Sequence, residues 1–312
     1  MADTKPNLVI GVARGYDYPM LRPIVASLKK TGFAGDFVIM YNDLHDHAEV
    51  PLAADGALLF PFSPAFPHTD GPLALPERWL KEPRLHNLHI YAYRRIVEYA
   101  YLHAYGHKYN YVYLTDTRDV YFQRDPFDFE RPNAVCVFLE EKKNLIKDTP
   151  ANVEWITETF GEKILHEIEH NPVANAGTIC MGPIPLVLEY LEVYLSVLAR
   201  YGTPLTTDQA VHNYILYEKL FTKVHAYPHN TGPILNLTPD FRIAHGMIQN
   251  VNGGTPNTVH MYDRYIRTAW GRAGWDFVAK LIWRKGPQRW YMSARLFIGN
   301  LVKRYLLRRT NV

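Results

Sequence analysis

The chain begins with an unbroken apolar run, Asn7 to Ala13, which has no polar face and is too short for a globular helix. Such a run suits a strand buried on both sides. Arg14-Gly15-Tyr16 ends it. From Met20 to Lys30 apolar residues recur at helical spacing, and Gly32 stops them. Phe37 to Tyr41 reads as a second strand ending at Asn42-Asp43, and Ala57 to Phe60 as a third. This alternation predicts a parallel sheet joined by right-handed crossovers. Prolines recur between Pro61 and Pro83, which predicts a long loop. Leu88 to Tyr105 is helical in pattern, closes at Gly106, and leads into a strand from Tyr111 to Leu114.

Beyond it, Val120 to Phe122 is a short apolar run broken by Asp125-Pro126, and Ala134 to Leu139 ends at Glu140-Glu141. Helical spacing spans Ala151 to His170 and Leu186 to Tyr201, with a strand expected over Ala176 to Met181. Another helix should start near Asp208. Short strands and loops rich in Pro, Gly and Asn follow from Tyr227 to Asn257, then a strand from Thr258 to Tyr262. There is no internal repeat and no linker before about Trp270. The expected organisation is one domain over 1–270 and a tail over 271–312.

The chemistry concentrates where the strand at Tyr111 to Leu114 ends. Asp116 and Asp119 stand there on either side of Arg118. Carboxylates at the C-terminal lip of a buried strand face the crevice where open α/β sheets bind ligands. Two of them repel unless a hard cation or a cationic group neutralises them. A divalent-metal site for a phosphorylated ligand follows. The plainer alternative is that Asp116 caps a turn and Asp119 pairs with Arg118.

This segment resembles the metal-binding Asp-x-Asp signature of nucleotide-sugar glycosyltransferases with the GT-A fold, closest to the glycogenin-like and related retaining families. Here the spacing is Asp-x-x-Asp. Counted back from Asp125-Pro126, Asp119 falls on the family's second aspartate and Thr117 on its first. The resemblance implies a Rossmann-like mixed, mostly parallel sheet flanked by helices, and Asp119 as a metal ligand. Asp116 would contact metal, ribose or Arg118. His260, at the end of a late strand, takes the position of the family's third protein ligand. Carboxylates with one imidazole suit Mn²⁺ or Mg²⁺, and the imidazole favours Mn²⁺.

The same resemblance assigns Asn175 and Gly177 to the donor sugar, through an Asn-x-Gly segment, and Gln209 through an Asp-Gln pair at a helix start. Asp208 becomes the catalytic carboxylate that stabilises oxocarbenium-like charge, with Glu140 in reserve. Thr207 or Asp208 would equally serve as a plain N-cap. Arg14 and Tyr16 after the first strand, and Asp43 after the second, are expected at the nucleotide. Arg94 and Arg95 are expected at the diphosphate, because guanidinium matches phosphate bidentately. The implied activity is retaining, metal-dependent transfer of a hexose from a nucleotide-diphosphate sugar to a hydroxyl of a glycan or lipid-linked acceptor. A sugar-phosphate nucleotidyltransferase shares the sheet, but Ala13-Arg14-Gly15-Tyr16 replaces its Gly-x-Gly-Thr-Arg loop. A non-catalytic nucleotide-sugar-binding scaffold is the reading outside enzymes.

Composition narrows the setting. Hydrophobic content of 47% and charged content of 21% exclude a disordered chain. Cys136 and Cys180 lie in apolar runs, as reduced core thiols do. Neither a signal-peptide core nor a run of roughly 18 apolar residues occurs, so a cytoplasmic protein is expected. The net charge of +3 hides an asymmetry. Phe277 to Val312 holds nine of the 34 basic residues and none of the 31 acidic ones, which leaves −6 upstream. Interleaved with Trp283, Trp290, Leu296, Ile298 and Leu301, that charge suits a basic amphipathic helix on the anionic inner face of a membrane. A helix packed on the catalytic domain, or one joining two copies in a homo-oligomer, has the same pattern. The acidic body argues against nucleic acid.

Overall fold

The computed structural model describes residues 5–63, 73–177, 180–238 and 240–262. The tail over 271–312, its boundary near Trp270 and the basic segment 277–312 lie outside the described residues. The chain forms β1 (Leu8–Arg14), α1 (Tyr18–Lys30), β2 (Asp36–Asn42), α2 (Glu49–Ala54) and β3 (Leu58–Pro61). Next come α3 (Glu77–Leu80), a 3-10 turn at Pro83–His86, α4 (Ile90–Tyr105), β4 (Tyr111–Thr115), β5 (Val120–Phe122) and β6 (Val135–Phe138). Helices α5 (Pro150–Phe160) and α6 (Glu162–Ile168) precede β7 (Cys180–Pro183), α7 (Ile184–Tyr201) and α8 (Asp208–Tyr217). Strands β8 (Val224–Tyr227), β9 (Ile234–Asn236), β10 (Arg242–Ala244), β11 (Met247–Gln249) and β12 (Thr258–His260) complete the described chain.

The main sheet runs β3-β2-β1-β4-β7-β6-β8. β1 pairs in parallel with β2 and β4, and β7 lies antiparallel between β4 and β6. This is the mixed, mostly parallel sheet with flanking helices that the sequence leads one to expect. Period-two alternation within the apolar runs explains why both faces are dry. Leu8, Ile10, Val38, Met40, Val112 and Leu114 face one cluster, which includes Ile96 of α4 and Leu195 of α7. Val9, Ala13, Phe37, Ile39, Tyr111 and Tyr113 face the other, with Leu21 and Ile24 of α1.

Several elements depart from expectation. The helix expected over Ala151 to His170 is two, because Gly161 at φ +85° ends α5. Within the loop expected over Pro61 to Pro83, α3 forms, and α2 is an added helix. The strand expected from Ala176 starts only at Cys180, and the one expected to Tyr262 ends at His260, where Met261 turns to φ +61°. Both shortenings fall at the candidate site. Among the described residues no helix is long and apolar enough to cross a membrane.

A small second sheet, β5-β12-β9, sets the site. The chain leaves the main sheet at Thr115, turns through Asp116 to Asp119, and enters the small sheet at Val120. β12 pairs antiparallel with β5, placing His260 opposite Val120, and parallel with β9, placing His260 beside Asn236. Carboxylates from the turn and an imidazole from 140 residues later therefore meet.

Candidate metal and sugar site

Asp116, Asp119 and His260 each offer one ligand atom, and these atoms lie within 4.8 Å of one another. His260 Nε2 stands 3.4 Å from Asp116 Oδ2 and 3.5 Å from Asp119 Oδ1. Two devices hold the turn. The Asp116 amide donates to Gly177 O at 2.7 Å, and Thr117 Oγ1 donates to Val12 O at 3.0 Å. Thr117, the register equivalent of a family aspartate, is thus turned inward, and Asp116 supplies the second carboxylate. The plainer pairing is also present in weak form, since Arg118 reaches Asp119 Oδ2 at 3.9 Å.

The residues fit a divalent ion on three grounds. His260 Nε2 is buried without a hydrogen-bond partner. Its donor set is two carboxylates and an imidazole. Gly177 leaves room where a Cβ would sit 2.5 Å from Asp116 Oδ2 and 2.7 Å from His260 Nε2. Without the ion the groups charge one another. Burial alone would lower the His260 imidazole, but Asp119 and Asp116 push it up to about 9. Burial would likewise raise both carboxyls. Arg94 and His260 hold Asp116 well below the usual carboxylate range, and His260 lowers Asp119.

Arg94 joins this cluster to the candidate catalytic carboxylate. Its guanidinium donates to Asp116 Oδ1, to Asp208 Oδ2 and, at 3.3 Å, to Ala176 O. Thr207 Oγ1 caps α8 by accepting from the Ala210 amide at 3.3 Å, and Asp208 Oδ1 accepts from the Gln209 amide at 2.9 Å, leaving its Oδ2 to Arg94. Arg95 is wholly buried and donates to Glu98 at 2.6 Å and to Ala176 O at 2.8 Å. The expectation that Arg95 contacts diphosphate is corrected by that burial. Arg94 is likewise spent on two carboxylates.

The residues expected at a donor sugar are bonded to one another and to nearby backbone. Gln209 accepts from the Ala176 amide at 2.7 Å and donates to Ala174 O at 3.0 Å. These bonds grip the backbone beside Gly177, reinforced by Asn213, which bonds both backbone groups of Ala174 at 2.9 Å. Asn175 donates to Glu140 Oε1 at 2.9 Å and accepts from the Gly177 amide at 2.8 Å, which brings Glu140 to the site's edge. Arg14 and Asp43 are exposed where β1 and β2 end side by side. Tyr16 is half-buried. Burial, the main influence, raises its hydroxyl pKa, with Arg118 opposing and Asp116 and Asp119 adding.

Sequence reasoning missed Asn236, whose Oδ1 lies 2.9 Å from His260 Nδ1. Only the strand register reveals it. Arg118, whose side chain is 45% exposed, also stands beside the cluster.

No protein-family model and no curated protein matches the chain. Among solved structures, galactosyltransferase LgtC in complex with donor and acceptor sugar analogs is similar over 90% of this chain and 98% of its own. The identity is 14% and the TM-score 0.48. Core-mannan synthase A from Aspergillus fumigatus, in its Mn/GDP form, matches 72% of this chain and 73% of its own, at 14% identity and TM-score 0.39. A mannosyltransferase from S. cerevisiae in complex with GDP matches 72% and 69%, at 13% identity and TM-score 0.35.

Proposed function

We propose that the protein is a metal-dependent, retaining glycosyltransferase that moves a hexose from a nucleotide-diphosphate sugar to a hydroxyl acceptor. One observation carries the reading: two carboxylates and an imidazole from separate sheets present ligand atoms within 4.8 Å at the lip of β4. Arg94 couples them to Asp208. A bound Mn²⁺ or Mg²⁺ would neutralise the diphosphate and offset charge developing on it as it departs. Arg14, Tyr16 and Asp43 line the nucleotide end, and Arg118 supplies a half-exposed cation for phosphate oxygens.

Asp208, fixed by Arg94 and by the Gln209 amide at 2.9 Å, orients the sugar and faces charge at the anomeric carbon. The bond from the anomeric carbon to the diphosphate breaks. The acceptor oxygen bonds to the same face, and its proton passes to a leaving phosphate oxygen. Glu140 is the reserve for the role of Asp208 at the anomeric carbon. The acceptor is a glycan or a lipid-linked glycan, the latter favoured by the basic, aromatic tail over 277–312.

A thermal-shift screen of nucleotide sugars, with and without Mn²⁺, tests the reading. Stabilisation by a donor only when Mn²⁺ is present, abolished in Asp119→Asn, is expected. Stabilisation without donor hydrolysis for any common nucleotide sugar would leave a nucleotide-sugar-binding scaffold, and neither effect with any of them would overturn the reading. Flotation with anionic vesicles, full chain against a chain ending at Asp276, tests the tail. Equal flotation of both removes the membrane.

A further inference from the structure

We propose that Asn236 is the positioning residue of the metal imidazole, holding His260 with its Nδ1 proton engaged so that Nε2 presents a lone pair to the cation. This rests on the metal site proposed above and deepens it. Both side chains are 2% exposed, so neither exchanges its partner with solvent. Asn236 Oδ1 lies 2.9 Å from His260 Nδ1, and the parallel β9–β12 register places the two residues side by side. The Leu237 amide donates to His260 O at 3.0 Å and locks that register. A neutral imidazole carries one N–H, and an acceptor on Nδ1 draws it there. The remaining nitrogen, Nε2, is buried without a hydrogen-bond partner and aimed between Asp116 and Asp119. Partners of this kind fix the ring's tautomer and rotation, and losing them typically weakens metal binding about 10- to 100-fold.

The reverse arrangement has the Asn236 amide donating to Nδ1, which would put a proton on Nε2 and close it to a cation. Substitution separates the two. Asn236→Asp keeps an acceptor and removes the donor, whereas Asn236→Leu removes both at similar volume. Mn²⁺ affinity is read by electron paramagnetic resonance on metal-free protein, apart from any activity, with urea denaturation reporting the fold. Asn236→Leu is expected to bind Mn²⁺ at least tenfold more weakly, and Asn236→Asp within about threefold of the parent or more tightly. In the His260→Ala background, Asn236→Leu should bring no further loss, because the effect passes through the imidazole.

Undiminished affinity in Asn236→Leu, with Asp119→Asn still abolishing binding, overturns the positioning role and leaves the metal site standing. An equal additional loss in the His260→Ala background assigns Asn236 a general structural role and also overturns it. Failure of the parent protein itself to bind Mn²⁺ overturns both readings.

Discussion

Arg94 takes one oxygen of Asp116 and leaves the other to the cluster: the guanidinium donates to Oδ1, while Oδ2 faces His260 Nε2 at 3.4 Å. Through its other arm the same guanidinium holds Asp208. A single planar cation therefore sets the spacing between Asp116 and Asp208. Lysine supplies the charge without the fork. Arg94→Lys is expected to lower transfer about a hundredfold, the usual cost of misplacing a reacting group by about 1 Å. Mn²⁺ should still bind. Steady-state rates beside paramagnetic resonance titration would check this, and unchanged turnover would refute the coupling.

Gly177 gives a steric prediction. Its Cα lies so close to Asp116 and His260 that any Cβ collides with Asp116 Oδ2 and the His260 ring. Gly177→Ala should fold, lose about 1–3 kcal/mol to overpacking, and lose the Mn²⁺-dependent rise in melting temperature. Calorimetry with and without Mn²⁺ reads both effects. A full metal response in that variant would mean the cradle is not at Gly177.

The buried pair of Arg95 and Glu98 separates stability from chemistry. Both side chains have no exposed area, and burial raises the Glu98 carboxyl above its ordinary range despite Arg95 and Arg94. Glu98→Gln leaves Arg95 a buried charge with a weaker partner, and should cost about 3–5 kcal/mol in urea denaturation. Replacing both residues with methionine should restore most of that. Activity should not return with it, since Arg95 also reaches Asp208 at 3.4 Å.

His212 predicts how the protein meets acid. Burial first, then Arg95, lowers its imidazole to about 3, while Nδ1 stays within 2.7 Å of the Tyr190 hydroxyl. The folded value lies below the unfolded one, near 6.5, so between those limits the unfolded chain binds more protons. Stability from the neutral imidazole is complete above about pH 6.5 and is lost as pH falls toward 3, by about 1.4 kcal/mol per pH unit. Between pH 7 and pH 5 the parent should lose about 2 kcal/mol more than His212→Gln. Parallel curves from urea midpoints at the two pH values would refute the assignment.

The parts of this architecture legible in sequence are those that depend on local pattern. β1 declares itself because all its inward positions, on both faces, are apolar. Asp119 and His260 are readable because each ends or begins a short apolar run. What escaped depends on partners remote in sequence. Arg94 looks like a phosphate contact until Asp208, 114 residues away, is seen to pair with it. Gln209 looks like a ligand contact until its amide is found on the backbone of Ala174 and Ala176. Asn236 carries no signal at all, since register is set by the pairing of β9 and β12. Gly161 was a signal overlooked: a lone glycine inside a helical pattern marks its break.

The turn from Thr115 to Val120 is where the backbone changes sheets, so Asp116 follows a strand of the main sheet while Asp119 and His260 belong to the edge of the small one. A cation seated there would act as a rivet through both sheets. A shift of the small sheet would move Asp119 and His260 together away from Asp116, so occupancy and alignment would be linked. Amide exchange in β9 and β12 should accordingly slow when Mn²⁺ is added, far more than in β2 or β3 at the opposite edge.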